Sequence, residues 1–143
     1  MPGAEVGLLL DQGLASVPWA EGVNNHMGSR ATADESLMGE VMAFLRSKGL
    51  YFLDSRTTTA SVAFQAARRA GIPAAQKSMF LDDDDVQESI ERYFALLVER
   101  ARRDGEGVGI GHLRPNTLAV LSREIPRWRE RGVRFVPLRE LVK

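Results

Sequence analysis

Both histidines of this 143-residue chain directly follow short apolar runs, and so do its most suggestive carboxylates. His26 follows Gly22-Val23-Asn24-Asn25, and Asp54 with Ser55 and Arg56 follows Leu50-Tyr51-Phe52-Leu53. Asp82 with Asp83 follows Ser78-Met79-Phe80-Leu81, and Gly111-His112 follows Gly107-Val108-Gly109-Ile110. Two kinds of chemistry suit such residues. A histidine pair with nearby carboxylates can bind a divalent metal, which polarises a carbonyl and lowers the pKa of bound water. A histidine held by a carboxylate can instead act as general acid or base. The chain has no cysteine, so thiolate zinc sites and a cysteine nucleophile are excluded and any metal must be held by nitrogen and oxygen.

A structural alternative stands beside this reading: histidines that cap strands, and aspartates that cap the helices that follow. For a single cluster that alternative is the simpler one, whereas four clusters in the same position favour a shared rim. Asp82 is expected to point into the site, with Asp83 to Asp85 capping a helix and facing solvent. Arg56 would either clamp a substrate oxygen or pair with Asp54.

The elements that must position these residues are read from spacing. Four glycines, Gly49, Gly71, Gly105 and Gly132, each follow basic residues and precede an apolar stretch, the pattern of a helix stop. Upstream of each, apolar residues recur at helical spacing, as in Leu37, Met38, Val41, Met42 and Leu45. An earlier helix is expected over Glu5–Ser16. Thr32-Ala33-Asp34-Glu35 fits a capping box, with Thr32 as the cap. Pro126 should break or kink the last long helix. Between the helices, Gly22-Val23-Asn24 and the runs around Phe52, Phe80, Val108 and Phe135 read as buried strands. Alternating strands and helices predict an α/β fold with a parallel sheet and outer helices. In such folds the rim beyond the carboxyl ends of the strands is where ligands bind.

Composition narrows the function. The chain is 44% hydrophobic and 27% charged, which suits one domain over residues 1–143. Nineteen basic residues balance nineteen acidic ones, so charge calls for no nucleic acid and no anionic membrane surface. The amino terminus has no signal-peptide pattern, and no run is long enough for a transmembrane segment. About five strands are legible, against the roughly 200 to 250 residues that a complete eight-stranded βα barrel needs. The sheet is therefore open, or part of a larger barrel.

The segment Gly22-Val23-Asn24-Asn25-His26-Met27-Gly28-Ser29-Arg30 resembles the most distinctive motif of the divergent polysaccharide deacetylase family. Phe52-Leu53-Asp54-Ser55-Arg56-Thr57-Thr58 is similar to its second block, Met79-Phe80-Leu81-Asp82 to its third, and Gly109-Ile110-Gly111-His112 with Pro115 and Thr117 to its fourth. The resemblance covers nearly the whole chain, in order and spacing. It implies the C-terminal portion of a deformed βα barrel that hydrolyses acetyl groups on a carbohydrate substrate, a cell-envelope glycan, with a divalent metal, zinc first among candidates. It further implies that His26 is a metal ligand and His112 a general acid. Asp82 would orient His112, Asp54 and Arg56 would shape the site, and Asn25, Ser29, Arg30 and Ser55 would meet substrate. A periplasmic or envelope location goes with such a substrate.

The departures are as informative. Family members open with a strand ending in paired aspartates and carry a further histidine segment, neither of which matches here. Lys77 stands where arginine is usual, and Leu113-Arg114 replaces a proline-containing step. An incomplete enzyme, a truncated gene product and a non-catalytic relative that binds glycan or an envelope protein are the alternatives. A barrel lacking its opening strands would expose a sheet edge near Val23, so self-association is expected.

Overall fold

Strand and helix largely alternate along the chain, as the apolar spacing predicts, with one pair of successive helices and one pair of successive strands interrupting the pattern. The structure, a computed structural model, describes residues 3–143. In order, the elements are α1 (Gly3–Ser16), β1 (Gly22–Asn24), α2 (Ser29–Thr32), α3 (Glu35–Lys48), β2 (Tyr51–Asp54), α4 (Ala63–Arg69), β3 (Ala74–Gln76), β4 (Met79–Phe80), α5 (Gln87–Asp104), β5 (Gly109–Ile110) and α6 (Pro115–Arg129), then a 3-10 turn at Leu138–Glu140. Every strand pairing is parallel, so the chain has an α/β fold of five parallel strands flanked by helices. The four glycine stops all adopt left-handed backbone, with φ of 69° at Gly49, 71° at Gly71, 92° at Gly105 and 84° at Gly132. Gly49 and Gly105 directly cap α3 and α5, where a Cβ would be strained. Among the described residues no helix is long and apolar enough to cross a membrane.

The described residues form two compact units, one reaching to Gln76 with Val142–Lys143 added, the other Lys77–Leu141. In the first, the sheet order is β1-β2-β3. Gly22 lies opposite Tyr51, and Phe52 opposite Ala74. A Cβ on Gly22 would stand 2.2 Å from the Tyr51 ring, so only glycine lets the ring lie across this strand. Met38, Met42 and Leu45 form the buried stripe of α3 and meet Phe52, Ala74 and the alanine face of α4. Full burial of such large apolar side chains contributes about 1.5–3 kcal/mol each. Strand β3 has no counterpart in the sequence expectation, because Ala-Ala-Gln carries no β-branched or aromatic residue. Its pairing comes from the end of the chain as well: Ala74 and Lys143 exchange backbone hydrogen bonds of 3.0 and 3.1 Å.

Three local expectations change. Asp34, not Thr32, caps α3, its Oδ1 accepting from the Leu37 amide at 3.0 Å. Thr32 instead ends α2, fully buried, with its carbonyl accepting from the Val62 amide at 2.8 Å. Pro126 does not break α6, which continues to Arg129; the proline removes one amide donor near the helix end. The residues around Phe135 form no strand. Val133 and Phe135 are partly buried against Leu81, Phe94 and Val98 of the second unit, the Phe135 ring stacking on Phe94 at 6.0 Å between centroids. A short apolar run reads the same whether it pairs in a sheet or packs on a helix.

Among the described residues β1 pairs on one side only, with β2. Leu8, Leu9, Val17 and Trp19, just before it in sequence, are exposed. Unpaired edges and exposed apolar side chains recruit partners. The 143-residue chain is expected to show a mass that rises with concentration in sedimentation equilibrium; a monodisperse monomer across the range would contradict this.

Candidate functional site

The first unit carries a polar rim at the carboxyl ends of β1 and β2. Asp54 is 1% exposed, and both of its carboxyl oxygens are engaged. Oδ1 accepts from the Arg56 amide at 2.8 Å; Oδ2 accepts from the Ser61 hydroxyl at 2.7 Å and the Phe64 amide at 3.3 Å. The carboxyl group thus ties β2 to the start of α4 and holds Arg56 in its left-handed conformation, φ 46°. The Arg56 guanidinium donates to Gln76 Oε1, at the end of β3, at 2.9 Å.

The loops after β1 and β2 are laced together. Asn25 Oδ1 accepts from the Ser55 amide at 2.9 Å, Asn24 Nδ2 donates to Ser55 Oγ at 3.1 Å, and Ser29 Oγ lies 3.0 Å from Thr57 Oγ1. Asn25, Ser29 and Ser55, expected to meet substrate, are thereby drawn into holding the loops. His26 and Arg30 are exposed nearby in sequence, His26 just before Met27, a second left-handed residue with φ 58°. Such backbone persists only where its surroundings hold it. Replacing Asp54 with alanine would strand three donors and is expected to lower stability by about 3 kcal/mol. His26→Ala, at an exposed position, is expected to stay within about 0.5 kcal/mol. Urea denaturation of both variants checks the contrast.

The second unit carries a histidine and carboxylate in contact. Asp82, just past β4, has no exposed surface. Its Oδ1 meets the Nδ1 of His112 at 2.9 Å, and its Oδ2 accepts from the His112 amide at 2.7 Å and from Thr117 Oγ1 at 2.6 Å. The Asp82 carbonyl in turn accepts from the Arg114 guanidinium at 2.8 Å. Burial by itself would push the Asp82 carboxyl up; the hydrogen bonds from Thr117 and from the His112 amide and ring outweigh it and hold the group below its ordinary range. The His112 side chain remains 40% exposed.

Asp83 to Asp85 do not cap α5, whose N-cap residue is Val86, with no side-chain cap hydrogen bond. Asp84 accepts from Ser89 instead, and Asp85 from Asn116, which ties this loop to α6. Thr117, Arg114, Ser61 and Gln76 are the partners to which the sequence assigned no role. Thr117 and Arg114 lie within or beside the fourth block, so proximity to His112 was the available signal. Ser61 and Gln76 carried none.

A model of the family described as divergent polysaccharide deacetylase matches residues 1–142. This chain belongs to that family. It is 36% identical over 125 residues to an uncharacterized protein of Escherichia coli K12, YibQ, covering 87% of this chain and 39% of that protein. It is 47% identical over 103 residues to an uncharacterized protein of Haemophilus influenzae, covering 72% of this chain and 37% of the relative. The chain therefore spans about two fifths of the length of these curated relatives. A crystal structure of the uncharacterized protein ATU2773 of Agrobacterium tumefaciens superposes with a TM-score of 0.83 at 29% identity, over 85% of this chain and 50% of that one.

The wider deacetylase resemblance brings a divalent metal with it, and the residues here can be tested for one. Hydrolytic metals take three or more protein ligands. Among the described residues no group of three or more histidine, aspartate or glutamate side chains is placed to hold a metal ion. The carboxyl oxygens of Asp54 and Asp82 are already occupied by hydrogen-bond donors. The described residues do not fit a resident metal.

Proposed function

We propose that this family member acts on acetylated cell-envelope glycan and supplies, through His112, the proton that the leaving group takes up. The Asp82–His112 pair carries this reading: a buried carboxylate fixed on Nδ1 is the arrangement by which a partly exposed imidazole delivers a proton from Nε2. When water adds to an acetyl carbonyl and the tetrahedral adduct collapses, the bond from the carbonyl carbon to the sugar nitrogen or oxygen breaks. That leaving atom takes the Nε2 proton, and acetate departs. Asp82 keeps the Nδ1 hydrogen bond throughout, so the ring does not turn. On this proposal His26, Asn25, Ser29, Arg30, Ser55, Arg56 and Asp54 form or support a glycan-contacting rim on the first unit. Activation of the attacking water, and strands closing a deformed βα barrel, are assigned on this proposal to the part of the family's length that these 143 residues do not span, since the chain covers about two fifths of its curated relatives. A zinc or similar ion, and an envelope or periplasmic location, belong to that same proposal.

A second reading is favoured by the engaged carboxyl groups of Asp54 and Asp82: a non-catalytic relative that binds glycan, or an envelope protein, at the same rims. Acetate release from acetylated amino-sugar oligomers, measured for the chain joined to whatever polypeptide flanks it in its gene, tests the first. Release above background, stoichiometric with new free amines or hydroxyls, supports the hydrolase. No release, together with saturable binding of the same oligomers, overturns it in favour of the second.

A further inference from the structure

We propose that Thr117 is a positioning residue for His112, acting through Asp82. The threonine sits in the first turn of α6, 1% exposed, and its hydroxyl donates to Asp82 Oδ2 at 2.6 Å. The same oxygen accepts from the His112 amide at 2.7 Å. Two donors converging on Oδ2 prevent the carboxyl group from turning about its last bond, which leaves Oδ1 as the oxygen that faces the ring nitrogen at 2.9 Å. A carboxyl group secured on one side only would share both oxygens between ring and amide, and the imidazole plane would follow it. Arg114 completes the clamp by holding the backbone carbonyl of Asp82 at 2.8 Å. The helix thereby sets the direction of the His112 ring through Asp82. The inference rests on the reading of His112 as the proton donor, and makes Thr117 a determinant of where that proton is presented.

A packing role for the same residue makes the opposite forecast. The Thr117 methyl would lie 3.2 Å from a Cβ placed on Gly111, so it also fills space beside the histidine loop. Valine keeps the shape and loses the hydroxyl; serine keeps the hydroxyl and loses the methyl. Nitrogen-15 NMR of the histidine rings in the 143-residue chain separates the two, with His26→Gln assigning the signals of the only two histidines. In the parent and in Thr117→Ser, His112 should show a protonated Nδ1 whose hydrogen exchanges slowly with water. In Thr117→Val that exchange should quicken at least tenfold or the signal vanish. Unchanged exchange in the valine variant, or loss of the signal in a folded serine variant, would overturn the proposal. If the valine variant does not fold, serine decides alone: a retained signal supports the hydroxyl's role and a lost one refutes it. No substrate enters the measurement, so its failure leaves the proton-donor reading standing, and failure of the acetate assay leaves the hydrogen bond measurable.

Discussion

Replacing His112 with alanine is expected to slow acetate release from acetylated glycan by about 100- to 10,000-fold, the usual range for loss of a positioned general acid. Stability should change far less, by about 1 kcal/mol, since Asp82 retains its bonds from Thr117 and from the residue-112 amide. Substrates with better leaving groups need less proton assistance, so the loss should shrink for an acetyl ester of an acidic phenol compared with an N-acetyl sugar. Steady-state rates on the two substrates, alongside thermal unfolding of the variant, make the check. An equal loss on both substrates would remove proton donation from the account even if the residue proved essential.

Asp82→Ala is expected to be the most damaging single change to stability, at about 3–5 kcal/mol. It strands the Thr117 hydroxyl and the His112 amide at a buried position and removes the partner of the imidazole Nδ1. Asp82→Asn should be milder, about 1–2 kcal/mol. Its carbonyl oxygen can still accept from Thr117 and the amide, and its amino group then faces Nδ1, which must become the acceptor. The ring should therefore adopt the opposite tautomer, with the proton on Nε2.

The pH dependence follows from the direction in which Asp82 is shifted. The carboxyl group is held below its ordinary range in the folded chain, so the folded state binds its proton less readily than the unfolded state. Its contribution is full above the unfolded carboxylate value, about 3.9, and is lost as pH falls through the lower folded value. The gap in stability between the parent and Asp82→Asn should thus be constant near neutrality and close below about pH 4. His112 and Arg114 are the charged or titratable groups in contact with this residue. Urea denaturation at a series of pH values measures the gap. A gap that widened on acidification would mean that burial, not the three hydrogen bonds, governs the group.

Much of this protein was legible in local pattern. Helix stops at Gly49, Gly71, Gly105 and Gly132 follow from backbone sterics, which each glycine carries with it, and the structure gives all four left-handed φ. The strands at Val23, Phe52, Phe80 and Ile110, their parallel arrangement and the polar residues at their ends follow from alternation of short apolar runs with helical stripes. Family membership followed from four ordered motifs.

Other features depended on partners distant in sequence, which no local pattern encodes. Ala74–Gln76 is a strand because Tyr51–Asp54 and Lys143 supply its hydrogen bonds, while the more strand-like run around Phe135 is claimed by Phe94. Asp54 and Asp82 look alike in sequence, each closing an apolar run. Family resemblance already suggested Asp82 as the partner of His112, whereas only tertiary structure gives Asp54 to a loop and helix start. A carboxylate's role is set by the donors that reach its lone pairs, and those donors are brought by folding.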